Sequence, residues 1–466
     1  VKYVSTRGSA PVLEFDDVLL AGLARDGGLY VPQSWPQFDA ERIRSFKSLT
    51  YPELAFEVIK PFVGGRVTDP DLKRILQDAY AHFDTAEVAP LKKIGENNYL
   101  LELFHGPTIA FKDMAMQFLG PMFDHVLRQK KQRVTIVGAT SGDTGSAAIE
   151  ACRDRDAIEI FILYPHGRVS DVQRRQMTTV KAKNVHCIAV KGTFDDCQDM
   201  VKALFNDQSF RDQWNLSAVN SINWARIVAQ IVYYFWAALK VGSPDTPVSF
   251  AVPTGNFGNV FAGYAAHQMG LPIDRLIVGS NSNDILTRFF NSGTMEMSGV
   301  HPTISPSMDI QISSNFERLL FDLFDRDGAA VKTCIDNFRT TGRFDVTSAQ
   351  LSQALSLFES FRFDDEETKR MISQVLANTG ELLDPHSAIG VAASLAASPR
   401  PEIPVISLAT AHPAKFPDAV EAASGRHPAL PDHLSDLLDR PETFTVLEND
   451  LDKVRSHIAS TLEGIT

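Results

Sequence analysis

Tyr99-Leu-Leu-Glu-Leu-Phe-His-Gly-Pro-Thr-Ile-Ala-Phe-Lys-Asp113 sets an apolar run, Tyr99 to Phe104, before the turn pair Gly106-Pro107 and an amphipathic stretch from Phe111 to about Gln129. A short apolar run of this kind predicts a buried strand, and the stretch beyond the turn predicts a helix. Lys112 then stands in the first turn of that helix, where the macrodipole mildly opposes a cation. Flanked by Phe111, Met114 and Met116, its amine is expected to be partly desolvated, which favours the neutral and nucleophilic form. An amine of that kind suits a Schiff base with pyridoxal phosphate. A helix-start lysine that only packs its stem has the same local sequence, so the rest of the chain must decide.

Outward from this stretch the pattern repeats. Strands are expected at Arg133–Val137, Glu159–Tyr164, Val185–Val190, Val248–Val252, Leu276–Gly279 and Pro404–Leu408, with helices between them, among them Thr144–Arg153, Trp224–Leu239 and Phe257–Met269. Apolar strands alternating with helices imply a parallel sheet covered on both faces, an α/β class. Residues 1–95 read as a mainly helical N-terminal region, and 96–283 with 381–425 as an α/β core of two sub-domains. Residues 284–380 read as a helical insertion and 426–466 as a C-terminal helical tail.

The chain has 466 residues, 44% hydrophobic and 22% charged, with a formal net charge of −12. This is globular composition, and the acidic balance argues against a nucleic-acid partner. No apolar run approaches membrane-spanning length, and the first residues do not read as a signal peptide. The cysteines Cys152, Cys187, Cys197 and Cys334 form no Cys-x-x-Cys pair and no metal-ligand spacing, a pattern suited to the cytoplasm.

Two glycine-rich turns follow strands. Gly138-Ala-Thr-Ser-Gly-Asp-Thr-Gly145 opens a helix, so its backbone N–H groups, with the hydroxyls of Ser141 and Thr144, suit a carboxylate. A nicotinamide-cofactor turn is the competing reading. Its glycine spacing is not met, the next strand ends Tyr164-Pro165 without an acid for a ribose, and no Tyr-x-x-x-Lys pair occurs. The second turn, Pro253-Thr-Gly-Asn-Phe-Gly-Asn259, contains no Lys or Arg. An uncharged cup suits a phosphate held permanently on a cofactor; a plain tight turn is the alternative. A third segment, Leu408-Ala-Thr-Ala-His-Pro-Ala-Lys-Phe416, puts Thr410 at a strand's C-terminal end, where open α/β sheets bind ligands. His412 and Lys415 read there as surface residues.

Taken in order, His105–Asp113, Thr140-Ser-Gly-Asp-Thr-Gly145, Gly255-Asn-Phe-Gly-Asn259 and Ala409–Phe416 resemble the threonine synthase family. Its longer bacterial and fungal subtype is also resembled by Ser305-Pro-Ser-Met-Asp-Ile310, Ser313-Ser-Asn-Phe-Glu-Arg-Leu-Leu320, Asp384-Pro-His-Ser-Ala388 and the opening Lys2-Tyr-Val-Ser-Thr-Arg-Gly8. The resemblance implies a fold-type II pyridoxal-phosphate enzyme similar to the tryptophan synthase β chain. By position, Lys112 would carry the cofactor, Gly255, Asn256, Phe257, Gly258 and Asn259 would cradle its phosphate, and Thr410 would face the pyridine nitrogen. Ser141, Gly142 and Thr144 would bind the substrate α-carboxylate. Asp143 would stand by the cofactor's phenolic oxygen, where many relatives carry asparagine. Ser314, Asn315 and Arg318 would take the substrate phosphate, Arg318 foremost because a guanidinium matches phosphate geometry; a helix-surface ion pair is its other reading. His386 fits either a helix cap or a substrate contact. The implied reaction turns O-phospho-L-homoserine and water into L-threonine and phosphate, with no membrane or nucleic-acid partner and a monomer or weak homo-oligomer. A phospho-lyase releasing a 2-oxo acid, a non-catalytic cofactor-binding scaffold and a dehydrogenase are the competing functions.

Overall fold

Strands such as Ile158–Pro165, buried at every position, can be satisfied only inside a sheet covered on both faces. The structure, a computed structural model, describes residues 1–219, 221–398 and 400–465. Its contacts group the chain into two compact units, Val1–Ala115 with Ser221–Ala429 and Met116–Asn220 with Leu430–Thr466.

The first unit is built on a six-stranded sheet. Its order is Phe358–Arg362, Ile273–Ser280, Val248–Pro253, Val405–Ala409, Asn98–Glu102, Leu91–Lys93. All neighbours pair in parallel except the last two, which are antiparallel. The helix Trp224–Lys240 is buried over nearly its whole length and carries only two charges, Arg226 and Lys240. The N-terminal region carries the helices Phe15–Ala21, Ala40–Ser45, Tyr51–Val63 and Asp69–Tyr80, with Tyr3–Ser5 pairing antiparallel to Tyr30–Pro32. Arg7 anchors that region through a buried two-bond pair with Glu317, at 3.0 and 2.9 Å.

The second unit carries a five-stranded parallel sheet ordered Thr445–Glu448, Val185–Lys191, Ile158–Pro165, Val134–Ala139, Leu216–Ser217. Val137, Phe161, Leu163, Ile188 and Val190 pack in one apolar core with Leu204, Val454 and Ile458.

Two segments expected to be helical also supply strands, 284–380 holding a short antiparallel pair, Thr294–Glu296 with Arg343–Asp345, besides an edge strand. Within 284–380, Phe358–Arg362 pairs with Leu276–Ser280 at the edge of the first sheet. Within the tail, Thr445–Glu448 pairs with Ile188–Lys191 before the expected helix, Leu451–Glu463. All these strands are five residues or fewer, too short for their period to stand out beside adjoining helices.

Candidate functional site

The Lys112 loop is zipped to the loop that follows the strand Val405–Ala409. Leu103 N–H donates to Ala409 O at 3.0 Å, Phe111 N–H to Thr410 O at 2.8 Å, and His412 N–H to Ile109 O at 3.0 Å. Lys112 and Thr410, nearly three hundred residues apart in sequence, therefore sit on adjoining loops at the C-terminal ends of neighbouring parallel strands. The loop is held tightly. Asp113 accepts from Thr108 N–H at 2.8 Å and from Thr108 Oγ1 at 2.7 Å, and a side chain on Gly106 would meet Asp113 Cβ at 2.4 Å. Lys415, expected on the surface, is fully buried and donates from Nζ to Thr108 O at 2.8 Å. Lys112 itself is buried at the start of the helix Lys112–Lys130, its Nζ 5.3 Å from the Phe111 ring centre. These features agree with a desolvated amine aimed by a rigid loop.

Beside this lies the uncharged turn after the central strand Val248–Pro253. Asn256 Oδ1 accepts from Gly258 N–H at 3.0 Å, and Phe257 takes a left-handed φ of 68°. Beyond Gly258, the next backbone amides of the helix Gly258–Gln268, Asn259 and Val260, have no intrahelical acceptor, as at other helix N-termini, and suit an anion. At Gly255 an added Cβ would lie 3.0 Å from Met308 Cα, tight enough that the facing turn would have to yield. Asn259 Oδ1 receives Tyr233 Oη at 2.6 Å and Tyr234 Oη at 3.1 Å. That fixes the amide and leaves its buried Nδ2 donor without a partner among the described residues. A buried unused donor costs free energy unless something accepts from it. A phosphate would supply that acceptor.

In the second unit the turn at Ser141–Thr144 joins Val134–Ala139 to the helix Asp143–Cys152. Thr140 Oγ1 accepts from Gly142 N–H at 3.0 Å and Gly145 N–H at 2.9 Å, and Gly142 has φ 141°, a conformation glycine adopts freely. Ser141 is exposed and Thr144 half-buried, which leaves both hydroxyls accessible. Asp143 accepts from Gln173 Nε2 at 2.8 Å.

Of the residues expected to bind a substrate phosphate, Arg318 and Asn315 are engaged otherwise. Arg318 is fully buried, with Nε donating to Tyr30 O at 3.1 Å and its terminal nitrogens donating to Asn315 Oδ1 and at 2.5 Å to Ile222 O. Asn315 donates to Ser221 O at 3.2 Å from its side chain and to Asn256 O at 3.0 Å from its backbone. Ser314 is exposed, while Ser313 Oγ braces Gly255 O at 2.7 Å. Asn281 and Asn283 both donate to Asp309 Oδ1, at 2.8 and 2.9 Å, and Asp284 pairs with Arg288 at 2.9 Å. These groups brace loops rather than offer free donors.

Arg226 is the opposite case, and the sequence reading passed over it. It is buried, and its Nε and Nη1 have no hydrogen-bond partner among the described residues. Burial lowers its pKa to about 10, so it stays charged at neutral pH. On the helix Trp224–Lys240 it precedes Gln230 by one turn and Tyr233 by two, the face whose Tyr233 hydroxyl holds Asn259. Its signal was available: a cation in the first turn of a long apolar helix, disfavoured by the dipole in the same way as Lys112.

Known proteins were compared with this chain. Residues 2–80 match the family description "Threonine synthase N terminus", 86–337 "Pyridoxal-phosphate dependent enzyme", and 387–458 "Threonine synthase, C-terminal". A threonine synthase from Pseudomonas aeruginosa is 55% identical over 98% of each chain, and one from Saccharomyces cerevisiae is 42% identical over 99% of this chain and 98% of its own. Among solved structures, a pyridoxal-phosphate-bound threonine synthase from Brucella melitensis superposes with TM-score 0.97 at 56% identity, covering 99% of both chains. A threonine synthase from Escherichia coli superposes with TM-score 0.83 at 30% identity, covering 99% of this chain and all of its own.

Proposed function

The chain belongs to the threonine synthase family of pyridoxal-phosphate enzymes, and from that premise we propose that it converts O-phospho-L-homoserine and water into L-threonine and phosphate with Lys112 as its catalytic lysine. The observation that carries the reading is the zipped loop pair that brings Lys112 beside Thr410, next to a glycine turn with an orphaned Asn259 amide. The residues present fit the cofactor: an amine at Lys112, a hydroxyl at Thr410, and an uncharged cup over Gly255, Asn256, Phe257, Gly258 and Asn259.

When bound, pyridoxal phosphate supplies a carbonyl for amines and a ring that withdraws electrons from a substrate's α-carbon. The rest falls to the chain. Lys112 Nζ would hold the cofactor and, when free of it, would take the substrate's Cα proton and return one to the same atom. A neutral hydroxyl such as that of Thr410, facing a pyridine nitrogen, would leave that nitrogen largely unprotonated and damp the ring's pull. In the second unit, Ser141, Gly142 and Thr144 offer hydroxyl and helix-start N–H donors that suit an α-carboxylate. Arg226, with two unused donors, replaces Arg318 in our assignment for the substrate phosphate. Charge-assisted bonds there would stabilise phosphate as loss of a Cβ proton expels it from Cγ, after which Cγ takes up a proton and water adds at Cβ.

This reading takes the small-molecule substrate as the partner, with the chain a monomer or weak homo-oligomer. Among the described residues no helix is long and apolar enough to cross a membrane. The free thiols of Cys152, Cys187, Cys197 and Cys334 support a reducing, cytoplasmic setting. Purified protein with the cofactor and O-phospho-L-homoserine tests the function: threonine should appear one-for-one with phosphate. Phosphate accompanied by 2-oxobutyrate and no threonine would replace it with the lyase reading.

A further inference from the structure

Asp384 has no solvent exposure, and its carboxylate is fully used. Oδ1 accepts from Ser387 N–H at 3.0 Å and from Ser387 Oγ, and Oδ2 accepts from His386 N–H at 3.0 Å and His386 Nδ1 at 2.7 Å. Four donors on two oxygens is the full complement of an ionised carboxyl. Capping the helix Pro385–Ala396 needs only the backbone pair. The two side-chain donors do more, because each continues to a different end of the site.

Ser387 gives its hydroxyl proton to Asp384, so its oxygen is turned to accept, and it accepts from Thr410 N–H at 3.0 Å. His386 donates from Nδ1 to Asp384, which leaves Nε2 as an acceptor, and Ser307 N–H donates to it at 3.2 Å. Ser307 is the middle residue of the turn Pro306–Met308, the turn whose Met308 Cα packs where a side chain on Gly255 would go. The His386 ring also packs on Phe416, 4.8 Å between centres, in the segment that follows Thr410. One buried carboxylate thus sets the direction of two hydrogen-bond chains, one ending at Thr410 and the other at the wall of the Gly255 cup.

We infer that Asp384 and His386 form a positioning pair that couples the ring-nitrogen end of the site, at Thr410, to its phosphate end, at Gly255. The inference rests on the reading that these two places hold the cofactor. His386 touches the turn rather than the reacting atoms. Its role is to keep the turn seated on Gly255 so that the cup keeps its width. What it needs for this is an acceptor at the Nε2 position, not an imidazole as such.

The test uses full-length apoprotein titrated with pyridoxal phosphate, comparing wild type with His386→Leu and His386→Gln. Glutamine places its amide oxygen near the Nε2 position and leucine places nothing there. Leucine should weaken cofactor affinity about three- to tenfold, the worth of one neutral hydrogen bond, and glutamine should restore it to within about twofold. Affinity for leucine equal to wild type, or glutamine as weak as leucine, overturns the positioning pair while leaving the cofactor reading intact. Wild-type protein that takes up no cofactor strikes the reading beneath it instead. Should the leucine variant fail to fold, hydrogen exchange over Ser305–Ile310 in wild-type holoenzyme decides: the Ser307 amide is expected to be protected, and exchange at a free-peptide rate overturns the inference.

Discussion

Replacing Arg226 by methionine should raise stability and lower activity together. Methionine keeps an unbranched stem in the buried space but removes a guanidinium whose Nε and Nη1 have no partner among the described residues. An unsatisfied buried donor costs about 1–3 kcal/mol, so relieving two of them at the low end stabilises the unliganded protein by about 2 kcal/mol. In catalysis the same two donors would meet a phosphate. Bonds to a charged group contribute roughly 1.5–3 kcal/mol each, so losing a pair lowers kcat/KM by about 10²- to 10³-fold or more. The opposite sign is expected at Arg318, where methionine would strand Tyr30 O, Ile222 O and Asn315 Oδ1 and destabilise by about 3 kcal/mol or more. Denaturant melts without ligand, paired with initial rates of phosphate release, measure both quantities. An Arg226→Met protein that is less stable than wild type, or whose kcat/KM stays within about threefold, would refute the reasoning.

Further outcomes follow from the same geometry. Gly255→Ala puts a Cβ 3.0 Å from Met308 Cα and 3.3 Å from Ile310 Cδ1, so the turn must shift; equilibrium titration should show cofactor affinity down by about tenfold, and unchanged affinity would contradict the cup. His105 bonds Asp84 at 2.6 Å and Glu102 at 2.8 Å; burial pulls its pKa down, but these two carboxylates outweigh burial and raise it above 6.5. A raised histidine stabilises fully below its unfolded pKa and loses that contribution as pH rises through the folded value. The Tm gap between wild type and His105→Gln should therefore be largest below about pH 6 and shrink above it, whereas a pH-independent gap would contradict the linkage. His412 is pushed the other way, to about 4, by burial and then by His105, so its imidazole resonances should not titrate between about pH 5 and 8.

Local chemistry was legible in the sequence, and its tertiary use was not. Strand, glycine turn and helix follow each other within about twenty residues at Val134–Cys152 and Val248–Gln268, so short-range pattern located both turns. Lys112 stood out for the same reason. The zipper from Leu103–Phe111 to Ala409–His412 joins segments about three hundred residues apart, and no period reports such a pairing. Lys415 looked solvated because polarity in a loop usually means exposure, whereas here a backbone carbonyl receives it in the interior. Arg318 and Arg226 show the limit most clearly. Both lie in the first turns of helices, and only the folded chain shows that one has spent its donors on neighbours while the other has not.

The central claim is that Lys112, and no other amine, carries the cofactor. Borohydride reduction of the holoenzyme followed by peptide mapping tests it directly, because reduction fixes the pyridoxyl group on whichever lysine holds it. The account predicts a single labelled peptide with the group on Lys112. A label on Lys415, the other buried lysine of the zipped loops, or on any surface lysine in its place, would contradict it.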